Sequence, residues 1–108
     1  MSHSSRARRT YMYSIDGYCL LDKMNRLIKV HHPREHCNSY QLTVSHLIHN
    51  HSYSFSPSLK QNFLKSIPIR HKVCHFVPIS KQEYKILLTL YTELKAKYTP
   101  KNERVKVR

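Results

Sequence analysis

One glycine in 108 residues is the sharpest scarcity in this chain. Phosphate-cradling loops and dinucleotide fingerprints need several glycines so that the backbone can approach phosphate, so neither can be built around Gly17 alone. Nucleotide-dependent catalysis is therefore not expected. Tight hairpins also draw on glycine for positive φ, which argues against an all-β barrel or sandwich and in favour of helices. Acids are the second scarcity: six Asp and Glu face nineteen Lys and Arg, a formal charge of +13. That sign excludes nucleic-acid mimicry, and an excess of this size is useful chiefly beside a polyanion. Long apolar runs are missing too. None approaches the roughly 20 residues that cross a bilayer, and the N-terminus has no apolar signal core, so a soluble, unexported protein with no membrane partner is expected. Three cysteines, Cys19, Cys37 and Cys74, are odd in number and widely spaced. They suit free thiols in a cytoplasmic or other reducing, nucleic-acid-containing compartment better than a disulfide framework.

What is present is charge distributed along the whole chain. Residues 1–10 carry Arg6, Arg8 and Arg9 with no acid, and residues 99–108 carry Lys101, Arg104, Lys106 and Arg108 against Glu103 alone. Both ends read as basic, disordered arms. Residues 11–98 hold twelve Lys or Arg against five acids, a net of +7, and apolar residues recur there at regular intervals, as a single globular domain requires. The excess charge thus belongs to the body as well as to the arms.

Periodicity predicts an α+β fold, mainly helical, with about four helices and one or two short strands. Asp16-Gly17 is a fair hairpin dipeptide, but Leu20, Leu21, Met24, Leu27 and Ile28 share one face of a 3.6-residue wheel, so a helix over 17–30 is expected, closed by Pro33. Tyr40, Val44, Leu47 and Ile48 mark a second helix, capped by Asn38 or Ser39. Tyr53 and Phe55 alternate with serines in a loop or short strand. Ser56 and Pro57 suit the cap and first position of a third helix with Leu59, Phe63, Leu64 and Ile67 on its face, and Pro68 is expected to stop it. His71 to Val77 is β-prone and expected to be extended. Ser80-Lys81-Gln82-Glu83 is a capping box that opens the last helix, with a stripe of Tyr84, Leu87, Leu88, Tyr91, Leu94 and Tyr98. That stripe is core, or the seam of a homodimer through helix 81–98.

Nine histidines are the next oddity, six of them between His31 and His51. His46 and His49, at i,i+3, could grip zinc with Cys37, Cys74 or His75 brought in by the fold, although no Cys-x-x-Cys pair supports a zinc finger. No cofactor is otherwise implied. The other reading of these histidines is polar loop and surface, adding positive charge below pH ~6.5. No acid pair is spaced for general acid–base work, so a non-catalytic protein is expected; a small His-rich nuclease is the one enzymatic alternative.

Tyrosines interleave with basic residues, a combination that suits base stacking beside phosphate contacts. Tyr11, Tyr13 and Tyr53 are the ones not claimed by helix faces. The stretch Val77-Pro78-Ile79-Ser80-Lys81-Gln82-Glu83-Tyr84-Lys85-Ile86-Leu87 resembles the opening helix of winged-helix regulators of the response-regulator effector type. It spans eleven of 108 residues. In that family a recognition helix and wing follow, which residues 88–108 leave no room for, so the resemblance implies the helix and not the fold. Helices 40–49 and 57–67 offer an alternative as a helix-turn-helix, with Lys60, Gln61 and Lys65 facing DNA.

The expected function is nucleic-acid binding, as a DNA-binding transcriptional regulator or as an RNA-binding component of a ribonucleoprotein. Phosphates would meet Arg6, Arg8, Arg9, Lys60, Lys65, Arg70, Lys72, Lys101, Arg104, Lys106 and Arg108, with Tyr11, Tyr13 and Tyr53 stacking on bases. The alternative is a small inhibitor or adaptor whose basic surface docks a larger nucleic-acid-processing enzyme.

Overall fold

The structure, a computed structural model, describes residues 2–99, with side chains described from Met12 onward. Four helices succeed one another: α1 (Ser2–His31), α2 (Tyr40–Asn50), α3 (Pro57–Cys74) and α4 (Lys81–Tyr98). The mainly helical class is as expected. The short strands are not: among the described residues the segments around Tyr53 and His71–Val77 are turn and helix instead.

Serines set three of the four helix starts. Ser39, Ser56 and Ser80 each sit in an extended conformation and accept a hydrogen bond from the backbone N–H three residues on, satisfying a donor that the helix itself leaves open. At Ser80 the exchange is reciprocal: Glu83 N–H donates to Ser80 Oγ, and Ser80 N–H donates to Glu83 Oε1. The second Glu83 oxygen accepts from Lys72 Nζ at 2.8 Å, which ties the C-terminal part of α3 to the first turn of α4.

Ring and side-chain contacts fix the directions of the helices. Tyr13 stacks on Tyr84, Gly17 lies beside Leu87, Lys23 sits over Tyr91 and His31 stacks on Tyr98, so numbers climb together and α1 runs parallel to α4. Lys72 meets Glu83 while Asn62 meets Glu93, so α3 is antiparallel to α4. Helix α2 lies against α3, pinned by Tyr40, whose buried hydroxyl shares a 2.7 Å hydrogen bond with Ser66. Burial pushes that phenol up to about 12, so it stays a neutral donor. The core gathers Met24, Ile28, Val44, Leu47, Phe63, Ile79, Leu87, Leu90 and Leu94.

Three sequence expectations are corrected by the packing. Pro68 does not end α3, which continues to Cys74. The proline is exposed, so the Leu64 carbonyl it leaves unbonded can be met by water, and burial of Ile69 and Val73 on the inner face outweighs its cost. The first helix does not begin near Gly17 but at Ser2, so its backbone takes in residues 2–10 as well. Once a packed segment supplies the nucleus, each further residue adds a bond without a new nucleation cost. Finally, Leu88 is exposed and Leu90 is fully buried, so the α4 stripe lies differently from the one expected.

The end of α3 is closed by an unusual residue. Phe76 N–H bonds to the Val73 carbonyl and Val77 N–H to the Lys72 carbonyl, the paired bonds of a Schellman turn, with Phe76 at φ 60. Glycine usually takes that left-handed position, because a Cβ there costs about 1–2 kcal/mol. Phe76 buries nothing in return, since its ring is 88% exposed. Phe76→Gly should therefore raise stability by about 1 kcal/mol, read as a Tm gain of roughly 4–8 °C by calorimetry. An unchanged or lower Tm would mean that the ring makes contacts worth the strain.

Candidate functional site

Three helix C-termini meet at one end of the molecule. The α1 end supplies His31 and His32, the residue capping α2 is His51, and the last residue of α4 is Tyr98. The connection after α1 folds back along it, with His36 Nε2 2.8 Å from Asn25 Oδ1, and carries Glu35 under the same cluster. The packing here is aromatic. His32 lies 4.4 Å from the His51 ring, both imidazoles border the buried Phe55, and His31 stacks on Tyr98 at 4.2 Å.

One carboxylate oxygen organises the polar atoms. Glu35 Oε1 lies 2.7 Å from His51 Nε2 and 3.7 Å from His32 Nδ1, and the far nitrogen of His32 is 2.5 Å from the Tyr98 hydroxyl. Glu35 is buried, at 8% exposure, and is the one carboxylate so enclosed among the described residues. The hydrogen bond from His51 holds its carboxyl below the ordinary value, ahead of the opposing effect of burial. Burial, followed by the nearby His51 charge, pushes the His32 imidazole down, favouring its neutral form. Desolvation raises Tyr98 to about 12, so its hydroxyl keeps its proton.

Directly beside this cluster the turn after α2 carries an exposed aromatic, and two lysines are bonded to the residues on either side of it in the chain. Tyr53 is entirely solvent-exposed. Lys60 Nζ donates to Ser52 Oγ at 3.0 Å, Lys97 Nζ donates to the Ser54 carbonyl at 2.6 Å, and Lys97 also lies over the Phe55 ring. Each ammonium has three donors, so both remain able to meet an anion while tethered to the turn.

The remaining expected residues are placed as follows. Tyr13 does not present a free ring, since it stacks on Tyr84 against the core. Lys72 is committed to Glu83, and Arg70 lies over the Tyr40 ring. Lys65 is exposed on α3. Arg6, Arg8, Arg9 and Tyr11 fall on the α1 backbone with side chains outside the described part, and Lys101, Arg104, Lys106 and Arg108 lie outside the described residues altogether. The expected metal set does not assemble. His46 and His49 are exposed on α2, the Cys37 thiol bonds to the Ser39 carbonyl, Cys74 is exposed, and the His75 ring lies tilted against that of His71. Among the described residues the three-ligand group is His32, Glu35 and His51. The signal available in the sequence was Glu35 itself, the lone acid among six histidines between His31 and His51.

No known protein family, curated protein or solved structure matches this chain, so geometry carries the functional reading. No helix among the described residues is long and apolar enough to cross a membrane.

Proposed function

We propose that this protein binds nucleic acid without catalysing a reaction on it, with Tyr53, Lys60 and Lys97 forming the centre of the contact. The observation that carries the reading is the fully exposed Tyr53 on a turn whose neighbouring residues, Ser52 and Ser54, each accept a hydrogen bond from a lysine ammonium. A ring with an open face stacks on an unpaired base, while flanking cations take the adjoining phosphates. The wider surface supports it. Of the twelve Lys and Arg between 11 and 98, only Arg26 and Lys72 pair with a carboxylate among the described residues. Four of the five acids in this stretch already have partners: Asp22 has Arg26, Glu35 has histidine, Glu83 has its cap and Lys72, and Glu93 has Asn62, while Asp16 is exposed. The field outside the body is left positive, which steers a polyanion towards it.

A salt series on duplex DNA, duplex RNA and single strands tests the proposal. The single strand should bind best. On duplex DNA the slope of log affinity against log salt should flatten by about 0.9 for each of Lys60→Gln and Lys97→Gln. Tyr53→Ala should weaken single-strand binding about tenfold, the loss of one stacked base, with little change in that slope. Salt-insensitive, weak binding to all three substrates would overturn the reading.

A second reading, docking on a larger nucleic-acid-processing protein, rests on a different surface. Ile15, Tyr18 and Phe76 are exposed at 63%, 59% and 88% and border a shallow apolar groove of about 440 Å³ together with Cys19 and Val73. Exposed apolar side chains gathered around one groove are a common feature of protein contact surfaces.

A further inference from the structure

We propose that His32, Glu35 and His51 form a binding site for one first-row divalent metal ion, zinc foremost, at the junction of the α1, α2 and α4 C-termini. Their ligand atoms all lie within 4.8 Å of one another. Zinc with tetrahedral bonds near 2.1 Å keeps its ligand atoms about 3.4 Å apart, so the observed 2.7 Å and 3.7 Å separations from Glu35 Oε1 bracket what the ion needs. Closure requires side-chain movements that bring three ligand atoms already within 4.8 Å of one another to that spacing. Two imidazole nitrogens and one carboxylate select zinc or its neighbours over magnesium and calcium, which take oxygen ligands. Three protein ligands also leave a coordination position for water, on the side where His51 is a third exposed.

Three independent features favour a cation at this point. The first is the outer contact. His32 would bind through Nδ1, and its Nε2 already faces the Tyr98 hydroxyl, the kind of second partner that fixes the orientation of a metal-bound imidazole. The second is the converging helix ends. Each C-terminus presents the negative end of its dipole, so a buried carboxylate there faces partial charges of its own sign and calls for a compensating positive charge. The third is the surplus of imidazole. One histidine satisfies the Glu35 hydrogen bond at 2.7 Å, yet a second ring is aimed at the same oxygen from 3.7 Å. A plain hydrogen-bonded staple requires only one of them.

The site is independent of the nucleic-acid proposal, and its test uses the intact chain without nucleic acid. The protein is stripped with a chelator and titrated with Zn²⁺, following stoichiometry by calorimetry and stability by thermal unfolding. One equivalent should bind, and Tm should rise by about 10 °C at a hundredfold excess over Kd. His51→Ala and Glu35→Gln should each abolish the stoichiometric binding and the Tm rise. The His46→Ala/His49→Ala double variant, which removes the exposed pair on α2, should keep both. Because Glu35→Gln can weaken folding by itself, Co²⁺ titrated into the unaltered chain supplies a second measure, with the intense visible bands of a four- or five-coordinate site expected. Weak six-coordinate bands, substoichiometric zinc, or binding that survives His51→Ala and disappears from the His46/His49 variant would each overturn the assignment.

Discussion

Leu90→Ala should destabilise the protein by about 2–5 kcal/mol, whereas Leu88→Ala should cost no more than about 0.5 kcal/mol. The two leucines are two residues apart on α4 and chemically identical, so only their placement separates them. Leu90 is fully buried and Leu88 is 41% exposed. Truncating Leu90 removes three carbons from a closed interior and leaves a cavity, so both the lost transfer energy and the lost packing count. At Leu88 solvent fills the space. Urea denaturation of the two variants gives the comparison directly. Equal losses would mean that α4 is rotated about its axis relative to the arrangement described above.

That rotation follows from α4 having two neighbours. Tyr84, Leu87, Tyr91 and Tyr98 face α1, through Tyr13, Gly17, Lys23 and His31 respectively. Glu83 and Glu93 reach α3 through Lys72 and Asn62. The buried arc therefore extends from the tyrosine side across Leu87 and Leu94 to Leu90, and Leu88 falls outside it. A one-dimensional count of apolar spacing finds the tyrosine side, because four aromatic or apolar residues advertise it. It misses the α3 side, where a buried leucine lies among residues that read as polar.

The same division runs through the rest of the fold. What depends on neighbours within one turn was legible: the capping serines at 56 and 80, the α2 cap as one of Asn38 and Ser39, the box closed by Glu83, and the inner face of α1 from Leu20 to Ile28. What depends on distant residues was not. Pro68 reads locally as a stop, and only the burial of Ile69 and Val73 carries α3 past it. The candidate site shows the same limit. The histidine-rich stretch 31–51 contains His32, Glu35 and His51, whereas spacing favoured His46 and His49, which lie on one helix. The group that assembles joins residues from two connections and leans on Tyr98, 66 positions from His32. Tyr53 and Lys60 were legible as a local pair, whereas Lys97 reaches their turn only through the fold.

The lone glycine carries the second large expected effect. Gly17→Leu should cost about 1–3 kcal/mol, a Tm loss of roughly 4–24 °C, while Gly17→Ala should stay within about 1 kcal/mol of the parent. A Cβ at Gly17 would lie 3.1 Å from Ile79 Cδ1, 3.2 Å from Leu87 Cδ1 and 3.7 Å from Val73 Cγ2. For alanine, the first two contacts are tight, but both partners are methyl ends of flexible side chains that can yield by a few tenths of an ångström. Against that strain stands the helix-propensity gain of about 1 kcal/mol from replacing glycine inside α1. Leucine adds three further carbons where Ile79, Leu87 and Val73 already fill the space, so α1 must move away from α4 along a contact that runs from Tyr13 to His31. The glycine thus serves as a close-packing position against Ile79, Leu87 and Val73 rather than as a turn. A Gly17→Leu variant as stable as the parent would show that α1 does not seat there.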